Sequence, residues 1–578
     1  MNLLRRPTRA ALWLLVPIGF FVWAVASLWP HTIDDTYIYV LYAKNQVEGN
    51  GLVFNLGQRV DAMSNYLWVL VMALGGHLGA PILGWAKAVS AVLSTAQLVL
   101  AWWLTRLAID ATLGEPVAPA APKPRKKGKK KKGDAPEPPP PAPDAAWFWR
   151  DALACLTPAM MVLQPGTAYY SANGLGTPLF TLLTLLGVAL HLHDLVRSGR
   201  PDRPWCYAPL AIASLTRPEA PLFLVAVAAH RGWLLLGPAK GGSWPEAGAE
   251  TASRPLRTEL VALGLAVALP VAGHLGRYVY YGDFLNTFYC KPSTFFQNPT
   301  AAVGYVHDFA ATHGVLLGGA LLVGWAAALW KAPRWRVAGL LLMMAGAHFV
   351  FILYSGGDWM AQYRFFQPVL ALMYGAAVVG LARLERHRAA AWIVAGLCLL
   401  GTGNVRQFIE DLDSNTVYDH AHRSQVNVEV AHWMAENLRP GAGLITDEIG
   451  AIGLYSGLVI HDQWGIVDRE LAHMFHDTGF NPYNTAPDDP LRTKSLTAIA
   501  DTLVAREPEY VLLDSVEANP PPGQFDARKL NPYTMRELYR RIRYEYRYVR
   551  SFPVMEASDI EFRAKTFLLF ERKDLAGR

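Results

Sequence analysis

The chain has 578 residues, of which 52% are hydrophobic and 17% are charged, and its formal net charge at pH 7 is +6. Soluble domains carry about 25% charged residues, so this composition argues against an ordinary soluble enzyme and indicates a polytopic membrane protein. The four cysteines are far apart and form no CxxC motif, which argues against a disulfide framework or a cysteine-based metal site.

Long apolar runs fill the first two thirds of the sequence. A helix needs roughly 20 apolar residues to cross the hydrocarbon core of a bilayer. We predict about eleven transmembrane helices, near residues 11–29, 83–107, 146–164, 176–196, 206–217, 219–236, 257–279, 312–330, 336–355, 365–384 and 388–403. One further apolar run, 66–78, is left out of this list because of the charge pattern of the loops on either side of it.

Basic segments set the predicted orientation. The N-terminal "MNLLRRPTR" and the lysine-rich loop 110–145 should both be cytoplasmic, so an even number of spans must separate them. The run 66–78 is therefore predicted to lie along the interface or to re-enter. The first span could instead be a signal peptide cleaved after "AVA" (24–26), but many spans follow it. The basic loop is interpreted as an orientation signal or a contact with anionic lipid, and no nucleic-acid partner is expected.

The composition changes at about residue 404. Apolar runs shrink to strand length, as in "YVLLD" (510–514) and "TFLLF" (566–570), and alternate with helix-like segments such as 425–438. We predict a transmembrane domain over 1–403, with an outer loop at 31–82 and a disordered basic cytoplasmic loop at 110–145. A small α/β extracytoplasmic domain over 404–578 follows, because eleven spans place the C-terminus outside.

The unusual polar motifs all fall on the predicted outer face. They are "DDTYIYVLYAKNQVEGNGLVFN" (34–55), "YYSANGLGTP" (169–178), "LTRPEA" (215–220), "YYGDFLNTFYCK" (280–291) and "SGGDWMAQYRFF" (355–366), whereas the inner loops are plain basic connectors. Charged groups near membrane depth are costly and tend to mark substrate pathways. The distribution therefore indicates a functional site on the outer face.

The chemistry of these motifs suits transfer from a lipid-borne phosphate. Asp34 and Asp35 can supply a general base, since repulsion between two desolvated carboxylates raises one pKa. The alternative is that they only begin a solvated or interfacial helix. Arginines hold phosphates well through bidentate hydrogen bonds, which makes Arg217, Arg277 and Arg364 candidates together with Lys291.

Each basic candidate also has a structural interpretation. Arg217 could simply pair with Glu219, Arg364 could be an interfacial anchor, and Lys291 could be solvated. In the C-terminal part, Asp447, Glu448, His461 and Asp462 form a loose acidic and histidine set, to which we assign no metal.

Taken together with "SNYLW" (64–68), the outer motifs resemble the actinobacterial terminal β-(1→2)-arabinofuranosyltransferases and their relatives. These belong to the GT-C class of polyprenyl-phosphate-sugar-dependent glycosyltransferases. The resemblance covers residues 30–370 in the same order, and "IGAIGLYSGLVIHDQWGIVD" (449–468) resembles the start of the family's outer domain. It implies a GT-C fold, a first outer loop with interfacial helices, and catalytic acidic residues that match Asp34 and Asp35.

Two departures from the family pattern are visible. Relatives often read "SGLET" where this chain has "ANGLGT" (172–177), so Gly176 replaces an expected Glu. Relatives also carry an Arg in the helix after the acidic pair, where this chain has Tyr42, Ala43 and Lys44.

The expected function is transfer of a sugar, with arabinofuranose as one candidate, from a polyprenyl phosphate donor to an envelope glycan or glycolipid acceptor at a bacterial inner membrane. We expect Asp34 and Asp35 to be catalytic and Arg364, Arg217 and Lys291 to bind the donor phosphate. The predicted substrate-binding residues are Tyr37, Asn65, Asp283, Asn286, Tyr289, Asp358 and Trp359. No cofactor is required, although Asp34 and Asp35 could hold a divalent cation. The rival hypothesis is a non-catalytic GT-C-like scaffold or regulator of envelope or flagellar machinery; a lipid transporter is a weaker third.

Overall fold

The computed structural model describes residues 9–113, 143–198, 201–236, 256–290, 299–312, 335–358, 360–382, 384, 388–401, 405–413, 420–479, 490–518, 520–521, 523–530, 534–554 and 565–575. The site predictions at Lys291 and Trp359 lie outside these residues. So do nearly all of the predicted span 312–330 and most of the basic loop 110–145.

Helices form most of the described residues before the sheet domain. Their bounds are Leu15–Leu28, Asp34–Val47, Tyr66–His77, Ile82–Leu113, Pro143–Ala154, Leu156–Leu163, Pro165–Ala172, Thr177–Ser198, Tyr207–Ala213, Ala220–Leu236, Leu256–Tyr281, Thr287–Cys290, Pro299–Thr312, Trp335–Ser355, Gln367–Ala382, Arg388–Gly401 and Val405–Asp413. Short 3₁₀ turns precede some of them, at Arg9–Leu14, Pro204–Cys206 and Arg364–Phe366.

Within the described residues, five helical segments are long and apolar enough to cross a membrane: Arg9–Leu28, Ile82–Leu113, Thr177–Ser198, Leu256–Tyr281 and Arg364–Ala382. The predicted span 146–164 is not one helix. It is interrupted at Cys155, because Pro158 has no N–H to bond the carbonyl of Ala154, the last residue of the preceding helix. The full count of eleven spans stays a prediction.

The apolar run 66–78 forms a helix of 12 residues, Tyr66–His77. At 1.5 Å per residue it is about 18 Å long, too short to cross the hydrocarbon core by itself. The Asn65 side chain caps it by accepting the Trp68 backbone N–H at 3.3 Å. The length of this helix agrees with the prediction that it lies at the interface or re-enters.

A five-stranded mixed sheet organises the C-terminal part. Its strands are β1 (Gly443–Thr446), β2 (Val459–Asp462), β3 (Tyr510–Ser515), β4 (Tyr546–Pro553) and β5 (Thr566–Arg572), in the spatial order β2-β1-β3-β5-β4. β1 is parallel to β2 and β3, whereas β5 is antiparallel to β3 and β4. The helices beside it are His420–Asn437, Gly450–Tyr455, Arg469–Thr478, Pro490–Val504 and Thr534–Ile542, with 3₁₀ turns at Ala527–Lys529 and Lys573–Leu575.

The three inner strands β1, β3 and β5 are buried on both faces, which explains why they are nearly continuous apolar runs. Leu444 and Leu512 on one face share a core with the helices Asp34–Val47 and Tyr66–His77 of the outer loop. Ile445 and Leu513 on the other face pack with the helices Arg469–Thr478, Pro490–Val504 and Thr534–Ile542. The outer loop thus supplies half of the core on which the sheet rests.

Polar contacts fix the sheet against the first part of the chain. The Asn55 side chain donates to the Ile460 carbonyl at 2.9 Å and accepts the Ile460 N–H at 3.1 Å, at the exposed edge of β2. Arg469 donates to the carbonyl of Arg59 at 2.8 Å and to that of Tyr281. These bonds set the position of the sheet relative to the outer loop.

Candidate functional site

The two acidic residues of the first outer loop point to different partners. The helix begins at Asp34 after an extended Ile33 that offers no side-chain cap. The Asp34 carboxylate accepts the backbone N–H of Gly450 at 2.8 Å and of Ala451 at 3.0 Å, and the Asn427 side chain donates to it at 3.2 Å. Asp34 therefore caps the first turn of a helix in the sheet domain.

Asp35 faces the membrane part of the chain. Consecutive residues of a helix diverge by about 100° around its axis. The Asp35 carboxylate lies within electrostatic reach of Arg364 and of the Tyr39 hydroxyl, which in turn exchanges a 2.8 Å hydrogen bond with Ser64. Burial raises the pKa of Tyr39, and the Asp35 charge raises it further. Of the pair, Asp35 is the carboxylate placed beside a basic group.

Arg364 is held in position by Asp358. Its Nε and Nη2 donate to the two Asp358 oxygens at 2.8 and 2.9 Å, a bidentate arrangement with fixed orientation. The guanidinium also lies over the Phe365 ring, 5.3 Å from its centroid. Asp358, predicted to bind substrate, is thus the partner that positions Arg364.

The backbone before Arg364 is strained. Gln362 and Tyr363 have φ of 60° and 52°, in the left-handed region that non-glycine residues avoid. The Gln367 side chain donates to the Gln362 carbonyl at 3.2 Å, and the Tyr305 hydroxyl accepts the Phe365 N–H at 3.3 Å. Such strain persists only where the surroundings enforce it, and it clusters at functional sites.

A cleft lies on the Ser64 side of these groups, although neither Asp35 nor Arg364 is among the residues that line it. Its lining includes Ser64, Arg217 and His274, together with a buried ion pair between Asp61 and Arg277. Arg277 donates to both Asp61 oxygens, at 3.0 and 2.7 Å, and to the Met63 carbonyl at 2.7 Å. Arg277 therefore fixes the outer loop, and it is engaged too fully to hold a phosphate as well.

Arg217 forms the ion pair with Glu219 that is the structural alternative for its motif. Its Nε donates to Glu219, and its guanidinium lies between the rings of Phe180 and Phe365, 5.6 and 5.5 Å from their centroids. It nevertheless lines the cleft and reaches Tyr39 electrostatically. Within the described part of the chain, Arg217 and Arg364 both act electrostatically on Tyr39, which lies one helical turn after Asp35.

Two of the predicted substrate-binding residues lie away from the cleft. Tyr37 packs against Tyr455 of the sheet domain, with ring centroids 5.8 Å apart, and burial raises its pKa to about 12. Asn65 caps its own helix and lies against Gly176, where a Cβ atom would overlap its amide and Trp68. No room remains for the Glu found in relatives at position 176.

Three more predicted substrate-binding residues join the membrane part to the sheet domain. Asp283 accepts a 2.7 Å hydrogen bond from His473 and pairs with Arg469 at 3.3 Å. Tyr289 donates to Asp283 at 2.9 Å. Asn286 is completely buried and donates to the Gly465 carbonyl at 3.1 Å. Asn286 thus acts in docking, and Asp283 alone of the three also borders the cleft.

Asp34 offers few free ligand atoms for the divalent cation that the acidic pair could hold. Both Asp34 oxygens already accept backbone or amide hydrogens, and the two carboxylates diverge. Among the described residues, the carboxylates that come within ligand distance of one another as a group of three are Asp447, Glu448 and Asp514. We derive no reaction step through a metal.

Sequence reasoning missed Asp61, Asn427 and Asp514. Asp61 follows no recognisable motif, and Asn427 lies in a segment that was interpreted only as a helix. Asp514 could have been found, because it ends a predicted strand, and the ends of neighbouring parallel strands meet at one edge of a sheet.

The comparisons with known proteins agree with the sequence resemblance. Residues 415–570 match a family model described as a domain of unknown function (DUF8728). A terminal β-(1→2)-arabinofuranosyltransferase of Mycobacterium tuberculosis is 36% identical over 75 residues, which are 13% of this chain and 12% of that protein. The chain thus matches about an eighth of the length of this curated relative.

Among solved structures, ArnT from Cupriavidus metallidurans in the apo state superposes with a TM-score of 0.50 at 13% identity, over 97% of this chain and 98% of that one. The same protein bound to undecaprenyl phosphate gives 0.48 at 15% identity, over 96% and 97%. Arabinofuranosyltransferase AftD from Mycobacteria gives 0.47 at 15% identity, over 97% of this chain and 41% of that one.

The likeness to apo ArnT shows the fold of a GT-C glycosyltransferase over almost the whole chain. The resemblance carried by the sequence motifs is confirmed at that level.

Proposed function

We propose that the protein is an integral membrane glycosyltransferase that moves a sugar from a polyprenyl phosphate donor to an envelope glycan or glycolipid. The observation that carries the proposal is that Asp35 and Arg364 interact electrostatically, and that both act on the Tyr39 hydroxyl together with Arg217, which lines the cleft. An acid–base group beside two basic groups is what transfer from a phosphate-linked sugar requires.

In the proposed reaction, Asp35 accepts the proton of the acceptor hydroxyl as its oxygen bonds to the anomeric carbon. The bond between that carbon and the phosphate oxygen breaks, and the phosphate leaves on its polyprenyl chain. Arg364, oriented by Asp358, and Arg217 stabilise the negative charge on the leaving phosphate. Asp34 takes no chemical part and anchors the helix that carries Asp35.

The proposal also covers the donor sugar, its lipid carrier and the orientation in the membrane. The short match to an arabinofuranosyltransferase supports a pentofuranose donor, and ArnT bound to undecaprenyl phosphate supports a polyprenyl carrier. We place the cleft and the sheet domain on the outer face of a bacterial inner membrane, with the N-terminus cytoplasmic, because the basic loops lie on the other side in the predicted topology.

The test is release of free polyprenyl phosphate by the purified protein in liposomes, with a panel of polyprenyl phosphate sugars and an envelope glycan extract as acceptor. General acid–base groups contribute about 10²- to 10⁴-fold, so Asp35→Asn should lower turnover by at least about 100-fold. Asp34→Asn is the matched control: it should retain most turnover while its thermal unfolding midpoint falls, because it weakens the cap on Gly450 and Ala451.

Other outcomes have distinct meanings. Full turnover in both variants would show that Asp35 is not the general base of the reaction. No turnover with any donor, together with rescue of a deletion strain by both variants, would favour the non-catalytic scaffold.

A further inference from the structure

A second acidic cluster lies in the sheet domain, apart from the cleft. Asp447 and Glu448 directly follow β1, and Asp514 lies near the carboxyl end of the neighbouring parallel strand β3. The chain passes from β1 to β2 on one side and later returns to place β3 on the other side. In open α/β sheets, ligands bind at such a switch point, outside the carboxyl ends of the strands.

The cluster carries more negative than positive charge. One ligand atom from each of the three carboxylates lies within 4.8 Å of the others. Arg423 pairs with Asp514 at 2.7 Å and with Glu448. One guanidinium against three carboxylates leaves two negative charges unbalanced, and Asp34 lies nearby through Asn427. Uncompensated charge of one sign is costly in a site shielded from water.

Unsatisfied oxygens give an independent sign that a ligand belongs there. The Asp514 side chain is 1% exposed, and its Oδ1 is a buried atom without a hydrogen-bond donor among the described residues. Asp447 Oδ1 is buried in the same way and also lacks a donor among them. Buried acceptors in folded proteins are almost always satisfied by a donor, a water molecule or an ion.

We propose that Asp447, Glu448 and Asp514 bind one divalent cation of the oxygen-preferring kind, such as Ca²⁺, Mg²⁺ or Mn²⁺. A cation at this place removes the charge imbalance and supplies the missing partner for both orphaned oxygens.

The bound cation has a structural consequence for the first outer loop. The Asn427 amide donates to Glu448 and, at 3.2 Å, to Asp34. By fixing Glu448, the cation fixes Asn427 and through it the docking of the helix Asp34–Val47. The site is therefore structural, and it stands whether or not the proposed glycosyl transfer is correct.

The test is an electron paramagnetic resonance titration of Mn²⁺ with the full chain, stripped with EDTA and purified in a zwitterionic detergent. The wild type should bind one Mn²⁺ per chain, displaced by Ca²⁺ or Mg²⁺, and Mn²⁺ should raise its unfolding midpoint. Asp514→Asn and Asp447→Asn should each bind at least tenfold more weakly and lose the thermal shift.

Asp501→Asn is the matched control, because Asp501 is an exposed carboxylate of the same domain that pairs with Arg541. It should bind Mn²⁺ as the wild type does. Should Asp514→Asn fail to fold, Asp447→Asn still decides, since Asp447 Oδ1 has no hydrogen-bond donor to lose among the described residues. Binding by the wild type no tighter than by a folded Asp447→Asn variant would overturn the proposal and would mean that protons neutralise the cluster.

Discussion

Neighbouring carboxylates on a helix can serve two different surfaces, and Asp34 and Asp35 do so. One step of about 100° turns Asp34 towards the backbone of Gly450 and Asp35 towards Arg364. The same helix therefore carries the joint to the sheet domain and the group proposed for chemistry. Substitutions at these two positions should separate stability from turnover.

The buried ion pair between Asp61 and Arg277 predicts a large loss of stability when one partner is removed. Arg277→Met would leave Asp61, which is 2% exposed, without its bidentate partner. Removing one partner of a buried pair costs about 3–5 kcal/mol. The unfolding free energy in detergent should fall by that amount, with turnover lost only as the outer loop loosens.

The control for this prediction is Arg547→Met. Arg547 pairs with Glu571 on the surface and its side chain is 51% exposed, so the change should cost less than about 1 kcal/mol. Equal losses in the two variants would contradict a structural role for the Arg277 pair.

At the scale of elements, two helices from distant parts of the chain meet at Gly450. A Cβ atom at this position would overlap the main-chain oxygen and the carboxylate of Asp34. Because the obstacle includes backbone, Gly450→Ala should destabilise the protein by about 1–3 kcal/mol. Thermal unfolding measures this directly, and Gly276→Ala, which has open space around its Cβ position within a helix, should be neutral or slightly stabilising.

The helix Arg469–Thr478 is docked through Asp283, which predicts a pH dependence. Partial burial raises the pKa of Asp283, but hydrogen bonds from His473, Phe284 and Tyr289 outweigh it, so the pKa lies below its ordinary value of 3.8. A lowered pKa contributes stability above the ordinary value, and that stability is lost as pH falls through the folded pKa. The gap in unfolding midpoint between wild type and Asp283→Asn should be full at pH 7 and shrink below about pH 4. A gap that is constant with pH would refute the ionic contribution.

Local sequence patterns predict much of this architecture, but they do not predict contacts between residues that are far apart in the sequence. A pair of carboxylates in a first turn predicts the helix after Asp34. The charge pattern of the loops predicts that the run 66–78 does not span the membrane, and the lengths of the apolar runs predict the strands at 510–514 and 566–570. Asp34 meets Gly450 416 positions away, and Asp61 meets Arg277 216 positions away. Such pairs leave no periodic signal in a single sequence. The contacts that Asn286 and Tyr37 make with the sheet domain are also of this long-range kind, and no local motif predicts them.

At the scale of the whole molecule, the predicted topology has a direct test. Glu48, in the first outer loop, is exposed, and the described native cysteines Cys155, Cys206 and Cys290 are buried, so background labelling should be low. A Glu48→Cys variant should react with a membrane-impermeant maleimide in intact cells. A Lys129→Cys variant, in the basic loop, should react only after permeabilisation, and the reverse pattern would invert the orientation.

The bond between Asn55 and Ile460 has a consequence for how the protein is assembled. An edge strand offers unpaired amides and carbonyls to any other strand, and here a single side chain from the membrane part occupies both groups of one residue. A sheet domain synthesised without its membrane part would show that edge bare, along with the apolar face that rests on the outer loop. Such a fragment should self-associate in solution. In the cell, the sheet domain can therefore reach its final fold only after the membrane part has been inserted and can cover this edge and this face.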